Sequence, residues 1–175
     1  VYLSPCGHTF RQSDAIRLSK MDNLVLVCGH YEGIDQRFID ECVDEEISLG
    51  DFVLTGGEIA AMAVTDAVCR MVPGVLADPE CFEDESHFSG LLEYPQYSRP
   101  AVWHGRPVPE ILLSGNHQKV DQWRRKQSLR RTRERRPDMY EQLDLSSKSD
   151  RKLLAEMERE DEISEKAEND TCTLK

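Results

Sequence analysis

Short apolar runs that end at glycine dominate the first third of the chain. Each run is rich in Val, Ile or Leu, and continuous apolar runs of this length are typical of buried strands. Strands are therefore predicted over residues 1–3, 23–28, 44–49 and 52–54. After the last of them, apolar residues recur at helical spacing from Ile59 to Met71, which predicts a helix that opens at Thr55-Gly-Gly-Glu58. Strands that alternate with helices indicate an α/β fold with substantial parallel pairing.

The rest of the chain is predicted to be mostly helical. Helices are expected over 13–20, 34–42, 118–131 and 151–160, with Ser13 as the N-cap of the first. A polar loop without a clear period covers 78–93, and Pro-rich segments follow it. The sequence thus predicts four regions: an α/β domain at 1–93, a linker at 94–111, a small helical domain at 112–160 and an acidic disordered tail at 161–175.

Two glycine-rich turns follow predicted strands, at Cys28-Gly-His-Tyr-Glu-Gly33 and at Thr55-Gly-Gly-Glu58. Glycine has no Cβ, so the backbone at these turns can approach a ligand closely. Two such loops side by side would wall a pocket with main-chain N–H and C=O groups, which suits a flat, polar, nucleoside-like ligand. The alternative is that both are ordinary turns of an α/β domain. Neither has the G-x-G-x-x-G or GK[ST] pattern, which disfavours a Rossmann dinucleotide site or an NTPase.

Composition indicates a soluble globular protein. The chain has 175 residues, of which 39% are hydrophobic and 31% charged, and it contains no apolar run long enough to cross a membrane. Six cysteines lie without a C-x-x-C pair, and five histidines show no metal-ligand spacing. We therefore expect reduced thiols, no metal site and a cytosolic location. Because the chain begins without Met, inside a predicted strand, we also expect that it is an N-terminally truncated piece of a longer protein.

Charge is distributed very unevenly. The net charge is −11, yet the segment 119–136 has only two acidic residues. Its nine basic residues are Lys119, Arg124, Arg125, Lys126, Arg130, Arg131, Arg133, Arg135 and Arg136. The acidic residues concentrate at 156–162 and 165–170. Since affinity for nucleic acid follows the local field, the basic segment is predicted to face RNA, with a solvated helix face as the alternative.

Two further features have side chains suited to catalysis. Asp84-Glu-Ser-His87 is a carboxylate cluster within the polar loop, and Arg70 ends the otherwise apolar helix predicted after Thr55. Taken alone, the cluster is better explained as a solvated acidic loop. The arginine is equally well explained by a long side chain that reaches the surface.

Long motifs run through most of the chain. They are YLSP at Tyr2–Pro5, VCGHYEGID at Val27–Asp35, DEEISLGDFVLTGGEIAAM at Asp44–Met62, RMVPGVL at Arg70–Leu76, GLLEYPQYSRP at Gly90–Pro100, LLSGNH at Leu112–His117 and WRRKQSLRRTRERRP at Trp123–Pro137. In these motifs the chain closely resembles the bacterial tRNA (guanine-N1)-methyltransferases of the TrmD type, in the SPOUT superfamily. The resemblance extends to about Glu160, and the family's segment before YLSP is absent.

The resemblance implies an α/β domain with a deep trefoil knot, followed by a linker and a small helical domain. The missing segment supplies early strands of the sheet. The family binds S-adenosylmethionine (SAM) inside the knot. By motif, its adenosine site falls on Tyr2, Leu3, Gly29, Tyr31, Glu32, Leu49, Gly50, Asp51, Phe52, Val53, Leu54, Gly56 and Gly57.

The resemblance also implies a reaction, the transfer of a methyl group to N1 of the guanine on the 3′ side of the tRNA anticodon. The family's general base is an aspartate that falls on Glu85, a departure from Asp, with Asp84 as the alternative. Its arginine falls on Arg70, where it would stabilise charge on O6. The family's site forms between two subunits, so a homodimer is implied.

Two alternatives stay open at this point. The chain could be another SPOUT RNA methyltransferase with a different target base, although the pairing of Arg70 with the acidic loop is not expected there. It could also be a non-catalytic RNA-binding fragment, because of the truncation.

Overall fold

The computed structural model describes residues 1–76, 86–87 and 90–172. The chain divides into two units, Val1–Phe82 and Glu83–Lys175. Among the described residues, the first unit holds a parallel sheet with three helices, and the second holds a hairpin with four helices. The predicted α/β class with parallel pairing is confirmed, whereas the four predicted domain limits stay predictions. Within the described part of the chain, no helix is both long and apolar enough to span a membrane.

The sheet of the first unit is built around its first strand. Strands β1 (Tyr2–Thr9), β2 (Val27–Cys28) and β3 (Glu46–Ser48) lie in the order β2-β1-β3, and both neighbours run parallel to β1. The predicted end of the first strand at Ser4-Pro5 is wrong, because β1 continues to Thr9. Proline is tolerated here because the pairing with β3 breaks between Leu3 and His8, so Pro5 is not required to donate to the ladder.

Two of the three helices of the first unit, the first and the third, pack into one core with the sheet. Helix α1 (Gln12–Leu18) follows β1, α2 (Gln36–Cys42) follows the first glycine turn, and α3 (Glu58–Cys69) follows the second. The core consists of Leu3, Ala15, Leu18, Ile47, Ala60, Val64 and Val68.

The N-caps of α1 and α2 depend on aspartate side chains. Ser13 lies inside α1, so its predicted role as N-cap is wrong. Arg11 is the N-cap residue, and its N–H donates to the carboxylate of Asp14 at 2.9 Å. In α2 the carboxylate of Asp35 caps the helix by accepting from the N–H of Arg37.

The second unit is held by its own apolar cluster. Strands β4 (Val102–Trp103) and β5 (Arg106–Pro107) form a hairpin inside the segment predicted as an extended linker. Helices α4 (Glu110–Leu113), α5 (His117–Arg135), α6 (Pro137–Tyr140) and α7 (Lys148–Cys172) follow. The buried cluster consists of Leu91, Leu129, Leu153 and Met157, which joins α5 and α7 to the segment before the hairpin.

Ion pairs connect the basic helix α5 to the acidic helix α7. The ammonium group of Lys126 lies 2.7 Å from a carboxylate oxygen of Glu160, and Arg133 lies 2.6 Å from Asp161. Arg130 contacts both acids, at 2.9 and 3.4 Å. These pairs give a physical reason why α7 continues through 161–172, where the charge pattern predicts a disordered tail. Asp161, the first acid of that segment, and Glu160 before it are neutralised across the helix interface.

Contacts between α5 and α7 also lower the pKa values of carboxyl groups on α7. The hydrogen bond from Lys126, together with Arg130, holds the pKa of Glu160 below its ordinary value of 4.5. Burial alone would raise the pKa of Asp150, but hydrogen bonds from Arg125 and Ser147 outweigh it and lower that pKa. Both acids therefore favour the folded state when they are ionised.

We expect a cavity penalty at the centre of the second unit. Leu129 is completely buried, whereas Leu113 is 65% exposed. Leu129→Ala should lower the free energy of unfolding by about 2–5 kcal/mol, the usual cost of a buried Leu→Ala change. Leu113→Ala is the matched control and should cost well under half as much. Urea denaturation of the two variants measures both values, and equal losses would contradict the core assignment.

Acid should weaken the contact between α5 and α7. A carboxyl whose pKa is lowered by folding stabilises the protein above its unfolded-state pKa and loses that contribution as the pH falls through its folded-state pKa. Unfolding measured between pH 7 and pH 3 should thus show declining stability below about pH 4.5, the ordinary value for Glu160. The double variant Asp150→Asn/Glu160→Gln should show a shallower decline. Glu158→Gln, on the exposed side of the same helix, should keep the wild-type pH dependence.

Candidate functional site

The two glycine loops meet at the start of α3. The N–H of Gly57 donates to the carbonyl of Gly29 at 3.2 Å, and His30 forms a bridge with Gly56. A Cβ added at Gly57 would lie 2.8 Å from Cα of Cys28. Glycine is therefore required at position 57 by the protein's own backbone, which is a different reason from the ligand approach expected from the sequence.

A cavity of about 440 Å³ lies beside these loops. All of the residues predicted for an adenosine site line it except two, namely Gly50 and Asp51. Gly50 has a φ of +154° and shapes the turn that carries Phe52 and Val53 to the cavity wall. The strand predicted over 52–54 is absent. The apolar side chains of Phe52, Val53 and Leu54 line the cavity instead of packing in a sheet.

The sequence pattern missed one wall of the cavity. Ser4, Pro5 and Cys6 line it, as do Ile34 and Gln36 at the start of α2. Ser4 and Pro5 belong to the YLSP motif, so the motif could have indicated that they line the site. They were left out because the strand was predicted to stop before them. The pairing of β1 with β3 shifts register between Leu3 and His8, and Ser4, Pro5 and Cys6 of this irregular stretch line the cavity.

Acidic groups line the cavity, and an unreactive thiol, that of Cys28, directly precedes the lining residue Gly29. Glu32 and Glu46 are among its lining residues. At the loop junction, His30 Nε2 lies 3.0 Å from a carboxylate oxygen of Glu58. Burial and the nearby Glu58 raise the pKa of the Cys28 thiol, so Cys28 stays protonated at neutral pH and is a poor nucleophile. The wall therefore offers main-chain groups and carboxylates, which suit hydroxyl donors and cationic ligands.

The predicted catalytic residues are not brought together by the described structure. Arg70 is the C-cap residue of α3, where its N–H donates to Asp66 and Val68, and it is not part of the cavity wall. Asp84 and Glu85 lie outside the described residues. Among the described residues, no group of three or more His, Cys, Asp or Glu side chains is placed to hold a metal ion.

The basic segment predicted to face RNA is partly neutralised. Lys126, Arg130 and Arg133 pair with acids of α7, and Arg125 pairs with Asp150 at 3.0 Å. Other basic residues have different surroundings. Arg124 lies over the ring of Tyr94 at 4.9 Å, Arg131 donates to the carbonyl of Glu93 at 2.9 Å, and Arg135 is exposed. The segment is therefore not one uniform basic surface.

Known proteins match this chain over most of its length. A family model described as tRNA (Guanine-1)-methyltransferase TrmD matches residues 1–142. A tRNA (guanine-N(1)-)-methyltransferase of Alkaliphilus oremlandii is 60% identical over 148 residues, which are 85% of this chain and 59% of the relative. Proteins with the same description are 57% identical in Ruminiclostridium cellulolyticum (82% of this chain, 61% of the relative) and 58% identical in Clostridium perfringens (88% and 64%).

The matches cover most of this chain but only part of each relative. The chain spans about 60% of the length of the relatives that it matches. The matched residues include β1, both glycine loops, Arg70 and the whole of α5. The chain therefore belongs to the tRNA (guanine-1)-methyltransferase family of the TrmD type.

Proposed function

We propose that the protein transfers a methyl group from SAM to N1 of the guanine on the 3′ side of the tRNA anticodon. The observation that carries this proposal is the cavity between two joined glycine loops, in a chain of this family. The relatives' descriptions name a tRNA guanine as the methylated group. The cytoplasm, where tRNA is modified, is the location that we propose for this reaction.

The cavity fits SAM in size, and its lining residues fit SAM in chemistry. The cavity volume of about 440 Å³ lies within the usual range for small-ligand sites. Main-chain groups at the glycine loops can pair with the polar edge of an adenine. Phe52 and Leu54 offer apolar contact, and Glu32 and Glu46 are suited to hydroxyl groups and positive charge. When bound, SAM supplies a methyl group that is activated for transfer by its positively charged sulfur.

The closeness of the Gly29 backbone to the Tyr2 side chain supports this assignment. A Cβ at Gly29 would lie 2.7 Å from the hydroxyl oxygen of Tyr2, which is itself a wall residue. A side chain at that position would displace Tyr2 or occupy the cavity. We propose, as for the family, that these loops belong to a trefoil knot.

The chemistry of guanine defines what the protein's side chains must do. N1 carries a proton in neutral guanine, so a base must remove it before or during attack on the methyl group. We propose Glu85 for this role, with Asp84 as the alternative. Loss of the proton places negative charge on O6, and a guanidinium group beside O6 would stabilise it. We propose Arg70 for that role.

The position of Arg70 supports a site shared between two chains. Helix α3 has twelve residues, which makes it about 18 Å long. Gly57, at its start, lines the cavity, whereas Arg70 follows its end and does not. One chain thus separates the proposed methyl-donor site from the proposed O6 partner. A homodimer in which Arg70 of one subunit faces the cavity of the other would join them.

The proposal is tested by incubating the complete protein with SAM and an unmodified tRNA transcript, followed by nucleoside analysis. The expected product is 1-methylguanosine at the position 3′ of the anticodon. A methylated base of another kind would favour a different RNA methyltransferase. Binding of tRNA without any methylation would favour a non-catalytic RNA-binding role.

We expect Phe52 to contribute to SAM affinity. Phe52→Ala removes an exposed ring from the cavity wall and should weaken SAM binding about tenfold, the scale of losing part of a buried aromatic contact. Phe38→Ala is the matched control, since Phe38 is also exposed but does not line the cavity. Calorimetric titration with SAM measures both. Equal affinities in the two variants would place the ligand elsewhere.

Glu85→Gln should separate proton removal from SAM binding. The methylation rate in single turnover should fall roughly a hundredfold or more, the usual scale for a lost general base, while SAM affinity stays nearly unchanged. Asp84→Asn is the control that resolves the placement. A rate loss in Asp84→Asn alone would make Asp84 the base. If neither variant lost rate, the acidic loop would have no role in proton removal.

A further inference from the structure

Six of the eight Lys and Arg residues of α5 form two rows on different sides of the helix. We call Lys126, Arg130 and Arg133 the α7 row, and Arg124, Arg131 and Arg135 the Tyr94 row. With 3.6 residues per turn, each row occupies one narrow stripe, and the two stripes lie about 160° apart around the helix axis. The rows carry equal numbers of positive charges. What differs between them is the set of groups that they face.

The α7 row is already occupied by carboxylates. Its three residues lie within 2.6–3.4 Å of oxygens of Glu160 or Asp161. Any RNA phosphate that approaches this row must displace an acid of the same chain. The row therefore offers little net positive charge to a polyanion.

The Tyr94 row keeps its positive charge. Arg131 donates to a neutral carbonyl oxygen, that of Glu93, and Arg135 is exposed. Within the described residues, the carboxylate paired with this row is Asp121, at 3.7 Å from Arg124. This separation is longer than any of the contacts between the α7 row and α7. Arg131 and Arg135 have no carboxylate partner among the described residues, and two such charges in one row suit a chain of phosphates.

An aromatic cleft lies beside the Tyr94 row. It has a volume of about 410 Å³, and its lining includes Tyr94, Tyr97, Trp123 and Arg124. The ring centroids of Tyr97 and Trp123 are 6.3 Å apart, and Tyr97 is 48% exposed. Arg124, which lies over the Tyr94 ring, is one of the residues that line the cleft.

We propose that RNA binds the second unit on this side of α5, with its phosphates on the Tyr94 row and an unpaired base in the aromatic cleft. Aromatic side chains beside arginines are the usual means of holding an unstacked base next to its backbone. The α7 row acts instead as the structural contact between α5 and α7. This inference rests on the proposed function, because it names the surface through which the tRNA substrate would be held.

The two rows can be compared with matched variants of the complete protein. Arg131→Gln/Arg135→Gln and Arg130→Gln/Arg133→Gln each remove two positive charges from the same helix. Affinity for an unmodified tRNA transcript is measured at several salt concentrations. The Tyr94-row variant should reduce the slope of log affinity against log salt by about 1.4–1.8, the value for two lost phosphate contacts. The α7-row variant should keep the wild-type slope and show a lower midpoint of thermal unfolding.

Three further variants test the cleft and guard against misfolding. Arg131→Lys/Arg135→Lys preserves the charges and should keep the slope. Tyr97→Ala should lower affinity about fivefold or more without changing the slope, since stacking is independent of salt, and Tyr97→Phe should bind like wild type.

Three results would overturn the inference while leaving the proposed function intact. They are a slope change confined to the α7-row variant, equal slope changes in both double variants, and wild-type affinity in Tyr97→Ala. A wild-type protein that shows no salt-dependent binding of tRNA would instead overturn the proposed tRNA substrate itself, and this inference with it.

Discussion

The hydrogen bond from Gly57 to Gly29 is the contact on which the candidate site depends. It joins the loop that leaves β2 to the loop that begins α3, and the cavity lies beside that junction. The bond is possible because no Cβ separates Gly57 from Cys28, whose Cα would lie 2.8 Å from such an atom. Parallel pairing of β2 and β3 with β1 brings both loops to one edge of the sheet. A requirement of backbone packing thereby determines where a ligand can bind.

Helix α3 runs from this cavity to Arg70, and it therefore holds the proposed methyl-donor site and the proposed O6 partner apart. Its N-terminus is part of the cavity wall, and its C-terminus carries Arg70. A rigid helix of this length keeps the two features apart within one chain. This separation is the reason to propose a site shared between two copies of the chain.

Electrostatics in the second unit show why net charge is a poor guide to a binding surface. The chain carries a net charge of −11, yet some of its acids serve as partners of its own basic helix. Glu160 and Asp161 neutralise one side of α5 and allow α7 to pack against it. Arg131 and Arg135, on the side of Tyr94, have no carboxylate partner among the described residues. Pairing within the chain, rather than the composition of a segment, decides which arginines can meet a phosphate.

The sequence by itself determined the features that depend on local pattern. Apolar runs and helical spacing gave the α/β class, the helix after the second glycine loop and the long basic helix, for which Asn116 provides the cap by accepting from the N–H of Lys119 at 3.1 Å. The motifs gave the family, and most residues of the predicted adenosine site do line one cavity.

Tertiary structure alone decided the features that depend on distant partners. An apolar pattern predicts that a residue is buried, but it does not identify the residues against which that residue packs. Phe52 was predicted in a strand and instead lines a cavity, and Pro5 lies within β1 because the pairing with β3 breaks beside it. Asp161, predicted to begin a disordered tail, pairs with Arg133 of α5, and Glu160 beside it meets Lys126 across 34 residues of chain. Local patterns carry no information about such contacts, because they form only when distant segments fold together.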